Sequence, residues 1–559
     1  MPGGLLNLVS YGNQNVILNG NPSKTFFKCT YAKYTNFGLQ KFRLDFEGLR
    51  TLRMSESSHF TFKVPRYADL LMDTYLVVNL PTIWSPIVPP VCGGTSGDSN
   101  YTWRPYEFKW IKNLGTQMIE RVRFTVGGQV IQEFTGQYLY NLVERDFDSV
   151  KKDLYYKMTG NVAELNDPAN AYGRINVYPS AYPTTSPNYS ILGPEPSIRA
   201  RELYIPLNIW FTLASKMAFP LVCLQYTELQ IEIDIRPVKE LFVVRNVEGE
   251  GEYYHQPNFN NSEYQFYRFL QPPPDTTLSD ESYNDKRTNW AADVHLLSTY
   301  AFLTNDEVRV FAEKEQKYLI KEAYHTDFFN VTGSKRVDLE SLGMVTNWMW
   351  YFQRSDVNLR NEWSNYSNWA YESLPYNIID PSGNAEIIDC LNGETFTPNK
   401  QPGSNNENTG IMITGDYNVA NQKDIMLSWA LLLDGKYREN VLKAGVLDYV
   451  EKYTRTTGNA PDGLYCYNFC LNTSPTNFQP SGAINLSKFN NIQFEITTYV
   501  PPLDPSAQFL TICGPSGEAI GVNKTSWQLY DYNYNLTILE ERYNVLTFSS
   551  GNAGLMYAR

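Results

Sequence analysis

Ile119-Glu120-Arg121-Val122-Arg123-Phe124-Thr125-Val126 alternates apolar and polar side chains, turns at Gly127-Gly128, and continues as Gln129-Val130-Ile131-Gln132-Glu133-Phe134. Alternation with a period of two marks a half-buried strand, and paired glycines supply the positive φ that a two-residue hairpin requires. A stretch with Leu139, Leu142, Val143, Phe147 and Val150 at helical spacing follows, and the alternating run Leu229-Gln230-Ile231-Glu232-Ile233-Asp234-Ile235 comes much later. The same order of pieces then recurs. Residues 425–433 read as a strand and Asp434-Gly435 as its turn. A helical stretch carrying Val441, Leu442, Val446, Leu447 and Val450 is predicted next, and Ile492-Gln493-Phe494-Glu495-Ile496 closes the set. Two β units with one internal order, about half the chain apart, predict duplication of a single β-domain.

The bulk numbers suit that plan. A chain of 559 residues holds two β-sandwiches of ~200–250 residues each. Hydrophobic residues make up 42% and charged residues 19%, enough apolar material for packed cores and too little charge for a disordered chain. Aromatics reach 14%, which suits broad β-faces. A net charge of −12 argues against direct contact with nucleic acid, because phosphate neutralisation needs clustered Lys and Arg. Seven cysteines, an odd number spread along the chain, form no disulfide framework and fit folding in a reducing compartment. Cys466 and Cys470 lie in Tyr465-Cys466-Tyr467-Asn468-Phe469-Cys470-Leu471, which reads as a strand with both thiols as small packers. The opening residues lack the charged and apolar regions of a signal peptide, and Pro206, Asn208, Lys216 and Pro220 break the most apolar stretch, so no spanning helix is expected.

Residues 1–24 read as an N-terminal arm, apolar pieces among Gly and Asn. The first unit is expected over 25–303, beginning with β-rich runs at Phe26-Phe27 and 60–64, with insertions near 160–200 and 246–288. A connector helix follows over 304–320. Thr304-Asn305-Asp306-Glu307 matches a capping box, and Val308, Phe311, Ala312, Glu315 and Leu319 continue at helical spacing. The second unit is expected over 321–559, with an Asn/Gly/Ser-rich insertion near 358–422. Loops this long in compact domains are usually functional surfaces.

Sites of chemistry are sparse. His59, His255, His295 and His325 stand at no metal or catalytic spacing, and no Gly-rich phosphate loop precedes a helix. No catalytic residue, cofactor or metal ligand is therefore assigned. Trp348 and Trp350, two apart on a strand, share a face and belong to a core. Trp363 and Trp369 lie in an Asn-rich loop and are candidates for surface contact with a ligand or another subunit.

Phe478-Gln479-Pro480-Ser481-Gly482-Ala483-Ile484-Asn485-Leu486-Ser487 resembles the Gln-Pro-Ser-Gly-x-x-Asn-x-Ser segment of major capsid proteins of nucleocytoplasmic large DNA viruses. Further segments are similar to that family in the same order. They are Pro65-Arg66-Tyr67-Ala68-Asp69-Leu70, Gly127-Gly128-Gln129-Val130-Ile131, Leu221-Val222-Cys223-Leu224-Gln225-Tyr226 and Leu303-Thr304-Asn305-Asp306-Glu307. Tyr543-Asn544-Val545-Leu546, with Gly551 and Gly554-Leu555-Met556-Tyr557, resembles its C-terminus. The likeness runs from about Gly3 to Tyr557.

The resemblance implies an all-β double jelly roll, two eight-stranded sandwiches side by side. Three copies would make a pseudo-hexagonal trimer that tiles an icosahedral shell. Gln479, Pro480, Ser481 and Gly482, with the turn pairs Gly127-Gly128 and Asp434-Gly435, would then be structural motif residues. The implied partners are the chain itself, neighbouring capsomers and minor capsid proteins beneath the shell, with no direct nucleic acid and membrane contact only indirect. The implied place is the virion, after assembly in the host cytoplasm. A tile needs rigidity and repeating edges rather than an active site. Two other readings compete: a minor capsid or scaffolding protein of the same fold, and a carbohydrate-binding protein or glycosidase built on a jelly roll.

Overall fold

A computed structural model describes residues 2–46, 48, 51–86, 106–175, 177–181, 194–245, 254–274, 280–288, 290–372, 423–501 and 532–557. It also gives the backbone of the short strands Ile387–Ile388, Thr395–Phe396, Leu510–Cys513 and Ala519–Asn523.

Sixteen principal strands fall into two runs of eight. The first run is β1 (Gly38–Leu44), β2 (Ser58–Val64), β3 (Leu70–Leu80), β4 (Ile119–Val126), β5 (Gln129–Phe134), β6 (Arg201–Pro206), β7 (Leu229–Ile235) and β8 (His295–Phe302). The second is β9 (Gln316–Phe328), β10 (Ser334–Asp338), β11 (Met344–Arg354), β12 (Met426–Leu433), β13 (Lys436–Lys443), β14 (Tyr465–Asn468), β15 (Ile492–Thr498) and β16 (Tyr534–Ser549). The first run forms one sheet in the order β1-β8-β3-β6 and another in the order β2-β7-β4-β5. The second forms β9-β16-β11-β14 and β10-β15-β12-β13. Adding eight to each strand of the first pair gives the second, and the strand pairings are antiparallel throughout. Both orders are those of an eight-stranded jelly roll, so the fold is an all-β double jelly roll.

The alternation sets the sandwich. In β7 the apolar residues Leu229, Ile231, Ile233 and Ile235 are buried while the polar residues between them stay half-exposed. The second core is built around Trp348, Trp350, Trp429 and Phe494, with Trp350 and Trp429 stacked at 5.3 Å between ring centres. Strand β11 differs, because both of its faces are covered. Trp348, Trp350 and Phe352 enter the second core, whereas Met349 and Tyr351 point the other way and join the apolar cluster of the first sandwich.

Several expectations need correction. Phe26-Phe27 is not a strand: both rings are exposed, and the chain first enters a sheet at Gly38. The helical face expected to run through Val150 is two helices, α1 (Gly136–Asp146) and α2 (Ser149–Thr159). Phe147 leaves the helical region and Asp148 caps α2 by accepting from Lys151 N at 2.8 Å, so Val150 turns outward. Val441 and Leu442 lie on β13 rather than on a helix, because the Asp434-Gly435 hairpin sends the chain straight back along β12. Helical structure follows only as a π turn (Val446–Val450) and α3 (Glu451–Arg455). The connector helix spans Asn305–Glu313, and Leu319 belongs to β9, opposite Val545. Its expected capping box is not made: the Thr304 side chain accepts from no backbone N–H of the helix, and Glu307 accepts from Thr35 Oγ1 at 2.7 Å. Cys466 is buried on β14, and Cys470 is buried two residues beyond that strand's end. Most of the insertion near 358–422 lies outside the described residues.

Candidate functional site: the seam between the sandwiches and the open edges

The seam forms where β5 and α1 of the first sandwich lie on the outer face of the β9-β16-β11-β14 sheet. Apolar burial begins it, with Met349, Tyr351, Cys466 and Leu539 packed into the first sandwich's cluster. A charged network completes it. Arg145, on α1, is fully buried and donates from Nη2 to Asp146 Oδ2 at 2.7 Å and to Glu541 Oε1 at 2.8 Å. Its Nη1 donates to Asn347 Oδ1 at 2.8 Å. Glu541 also accepts from Tyr138 OH at 3.0 Å and from Asn347 Nδ2 at 2.8 Å. Thr473 Oγ1 donates to Asp146 Oδ1 at 2.5 Å. Burial pushes the Glu541 carboxyl up, but the charges of Arg145 and Lys321 and the Asn347 hydrogen bond outweigh it, so the group sits below the ordinary carboxylate value. Every strong group in this network has a partner from the other sandwich or from its own helix, which is the condition for a buried charge to persist.

A second set of contacts ties the loops across the seam. Lys152 Nζ donates to Glu144 Oε2 at 3.0 Å and to Asn459 O at 2.9 Å, and Gly458 N donates to Arg145 O at 2.8 Å. Asn361 Nδ2 donates to Lys239 O and Phe242 O at 2.8 and 2.9 Å. Trp363 is half-buried here: its Nε1 donates to Glu240 O at 3.1 Å, and its carbonyl accepts from Gln137 and Gln353. The Arg236 guanidinium lies 4.4 Å from its ring centre. Trp363 thus makes its contacts across the seam of its own chain. Trp369 is also half-buried, with Lys423 Nζ 5.7 Å from its ring.

Beside Trp363 the seam opens into a polar cleft of about 820 Å³. His59 and His325, from different sandwiches, line it with Arg121, Asp234 and Asp327. Asp234 accepts from Arg121 at 2.8 Å and pairs with His59, so its charge is already met. Among the described residues no group of three or more His, Cys, Asp or Glu side chains stands close enough to hold a metal ion.

The motif residues sit at turns rather than in a pocket. Gly127-Gly128 and Asp434-Gly435 adopt positive φ, at 57° and 82° and at 48° and 74°, as the two-residue hairpin requires. Asp434 Oδ1 also accepts from the backbone N–H groups of Asn490 and Asn491, both at 2.9 Å, and so pins the hairpin to the start of β15. Gln479 and Pro480 are exposed. Ser481 Oγ donates to Asn472 O at 3.1 Å and accepts from Asn472 N at 3.2 Å. Gly482 has φ 129°, and a Cβ there would fall 2.8 Å from Phe469 O. The segment is a folded turn held against the end of β14.

The Arg145 network was not anticipated from the sequence. Its signal was present in two places: Glu144-Arg145-Asp146 closes an otherwise apolar helix face, and Glu540-Glu541-Arg542 interrupts the long strand β16.

Comparison with known proteins bears directly on this architecture. Residues 25–267 match the model described as "Major capsid protein N-terminus", and residues 307–554 match "Large eukaryotic DNA virus major capsid protein". The chain is similar to the major capsid protein of Phaeocystis pouchetii virus, 26% identical over 600 residues with 100% of both chains covered. It is 24% identical over 558 residues to that of Paramecium bursaria Chlorella virus 1, again with 100% of both covered. Among solved structures, the PBCV-1 virus capsid aligns over 96% of this chain and 100% of that one, with a TM-score of 0.59 and 19% identity. The Faustovirus major capsid protein aligns over 94% and 93%, also with a TM-score of 0.59, at 13% identity. The jelly roll is duplicated and both halves are matched in order, so this chain belongs to the major capsid protein family of large eukaryotic DNA viruses.

Proposed function

We propose that the chain, a structural protein and not an enzyme, is the principal tile of an icosahedral virus shell and acts as a pseudo-hexagonal homotrimer. The observation that carries this reading is the repeated strand order, two like jelly rolls locked by a buried seam. Two similar units per chain give a six-cornered outline when three chains close around one axis, and closed rings are the common outcome of homo-oligomerisation. Rigidity comes from the seam: a tile whose halves swung freely could not hold a repeating edge. The arm, the two sandwiches and the connector would then have separate tasks, with the sandwiches forming the tile and the arm reaching to minor capsid proteins on the inner side. The acidic chain would meet neither the genome nor a membrane directly, and its place would be the virion after assembly in the host cytoplasm.

Light scattering on the purified, folded protein tests this reading. A particle of three times the 64.2 kDa chain mass is expected at micromolar concentration. A folded monomer under those conditions would count against it. In purified particles this chain should dominate a stained gel, and a trace amount would instead indicate a minor component.

A further inference from the structure

A cavity of about 40 Å³ lies within the seam, beside the Arg145 network. Both sandwiches share its wall. Gln132 on β5, Tyr138 on α1, and Asn208 and Trp210 after β6 come from the first, while Lys321 on β9 and Glu541 on β16 come from the second. Three of these side chains are buried and keep a polar atom that meets no protein partner: Asn208 Nδ2, Trp210 Nε1 and Gln132 Oε1. Their neighbours are engaged. Gln132 Nε2 donates to Lys321 O at 3.4 Å, Lys321 Nζ donates to Thr473 O at 3.1 Å, and Tyr138 OH donates to Glu541 at 3.0 Å. Trp110 and Arg236 also carry an unpartnered buried nitrogen, but each is the one such residue on its own cavity wall among the described residues.

A buried donor or acceptor without a partner has lost its bonds to water for nothing in return, so three on one wall call for a ligand. Their chemistry limits what it can be. Two are donors and one is an acceptor. A metal cation finds two N–H groups facing it, and an anion finds the Glu541 carboxylate on the same wall. A water oxygen accepts from both donors, gives one proton to Gln132 Oε1 and keeps a second O–H for the opposite wall. A water needs about 10–15 Å³ of such space, so 40 Å³ admits about three molecules and no larger organic ligand. We infer that the cavity is a hydration site built into the seam, holding about three ordered waters that satisfy Asn208, Trp210 and Gln132 and bridge the first sandwich to the second. Water there is a structural component of the seam, as the Arg145–Glu541 pair is.

A map of the full chain at a resolution that shows ordered water tests this directly. Density is expected about 2.7–3.2 Å from each of the three atoms. In Trp210→Phe and in Gln132→Met, which keep the bulk of the side chain and remove its polar atom, at least one water position should be lost. Thermal unfolding gives a second reading. Trp210 and Gln132 have no hydrogen bond to each other, so the midpoint shift of the double variant should be clearly smaller than the sum of the two single shifts. If the double variant does not fold, the maps of wild type and Gln132→Met decide. A dry cavity, side chains that pair the three atoms among themselves, or density too large for water overturns the assignment. Waters present but strictly additive shifts would overturn the bridging role.

Discussion

Arg145 and Glu541 are 396 residues apart in the chain and meet at 2.8 Å, each side chain 1% exposed, across the seam between the sandwiches. Their contact makes two domains one body, and its energetics are asymmetric. Removing one partner strands the other charge in a medium that solvates it poorly.

Arg145→Ala should therefore destabilise the protein by about 3–5 kcal/mol, because Asp146 and Glu541 would be left buried without their cation. The double change Arg145→Met with Glu541→Leu should recover part of that loss, since replacing both partners leaves a single anion at Asp146. Denaturant midpoints of the wild type, the single and the double variant check this. A single variant as stable as wild type would show that the network is ornamental.

The second core depends on one stack. Trp429 is fully buried against Trp350 and 5.2 Å from the Phe494 ring centre, so Trp429→Ala should cost roughly 3–5 kcal/mol. Trp429→Phe should cost clearly less, since it keeps an aromatic filler. Thermal unfolding of the two variants, compared side by side, gives the answer.

Two glycines with positive φ should respond differently to alanine. At Gly128 the φ is 82° and no atom lies within 4 Å of the added Cβ, so Gly128→Ala should cost ~1 kcal/mol from backbone strain alone. At Gly482 the φ is 129°, a region almost confined to glycine, and the Cβ would meet Phe469 O at 2.8 Å. Gly482→Ala should cost more, about 2–3 kcal/mol, with local loosening near Cys470. Equal midpoints for the two variants would refute the distinction.

Acid should weaken the fold in two stages. His255 is buried, and burial holds its folded pKa below the ordinary 6.5 despite the bond to Gln256 O. The unfolded chain gains that proton below 6.5 while the folded chain resists it, so stability present above 6.5 declines as pH falls from there. Glu541 is also depressed, from an ordinary 4.5; its contribution is complete above that value and is lost as pH falls through the folded pKa. Asp356, held between Arg354 and Arg360, behaves likewise below its ordinary 3.8. Denaturant midpoints across this range should fall gently below 6.5 and steeply below 4.5. His255→Asn should flatten the first stage only.

Much of this fold was legible because alternation is a local property. Each half-buried strand such as β7 declares its inward face in its own residues, and the Gly-Gly and Asp-Gly pairs declare their turns. Strand β13 escaped notice for the opposite reason. Its sequence, Lys436-Tyr437-Arg438-Glu439-Asn440-Val441-Leu442-Lys443, buries almost nothing within the chain, so no alternation marks it. The Leu319 misreading arose where a helix gives way to a strand and the two periods overlap by chance. The seam was illegible because it is a relation between residues hundreds of positions apart. Arg145 and Glu541 stand out as charges within elements expected to be buried, but which groups they meet shows only when the sandwiches are set side by side.

Residues 2–24 display apolar side chains that no described part of the chain buries. None of the residues in the helices Gly3–Val9 and Asn15–Asn19 is buried, and Leu8, Ile17 and Leu18 are exposed to 76%, 86% and 85%. Apolar side chains displayed at that density gain order by burial on something outside the protomer. The sandwich cores do not include them, so their removal should leave the cores as they are. Deleting residues 1–24 should therefore change thermal unfolding of the protein very little while impairing, under the proposed tile function, shell assembly or the attachment of inner proteins. Thermal melts paired with electron microscopy of assembly reactions, for the full and shortened chains, read both effects. A shortened chain that cannot fold would place the arm in the core, and one that assembles normally would remove its proposed task.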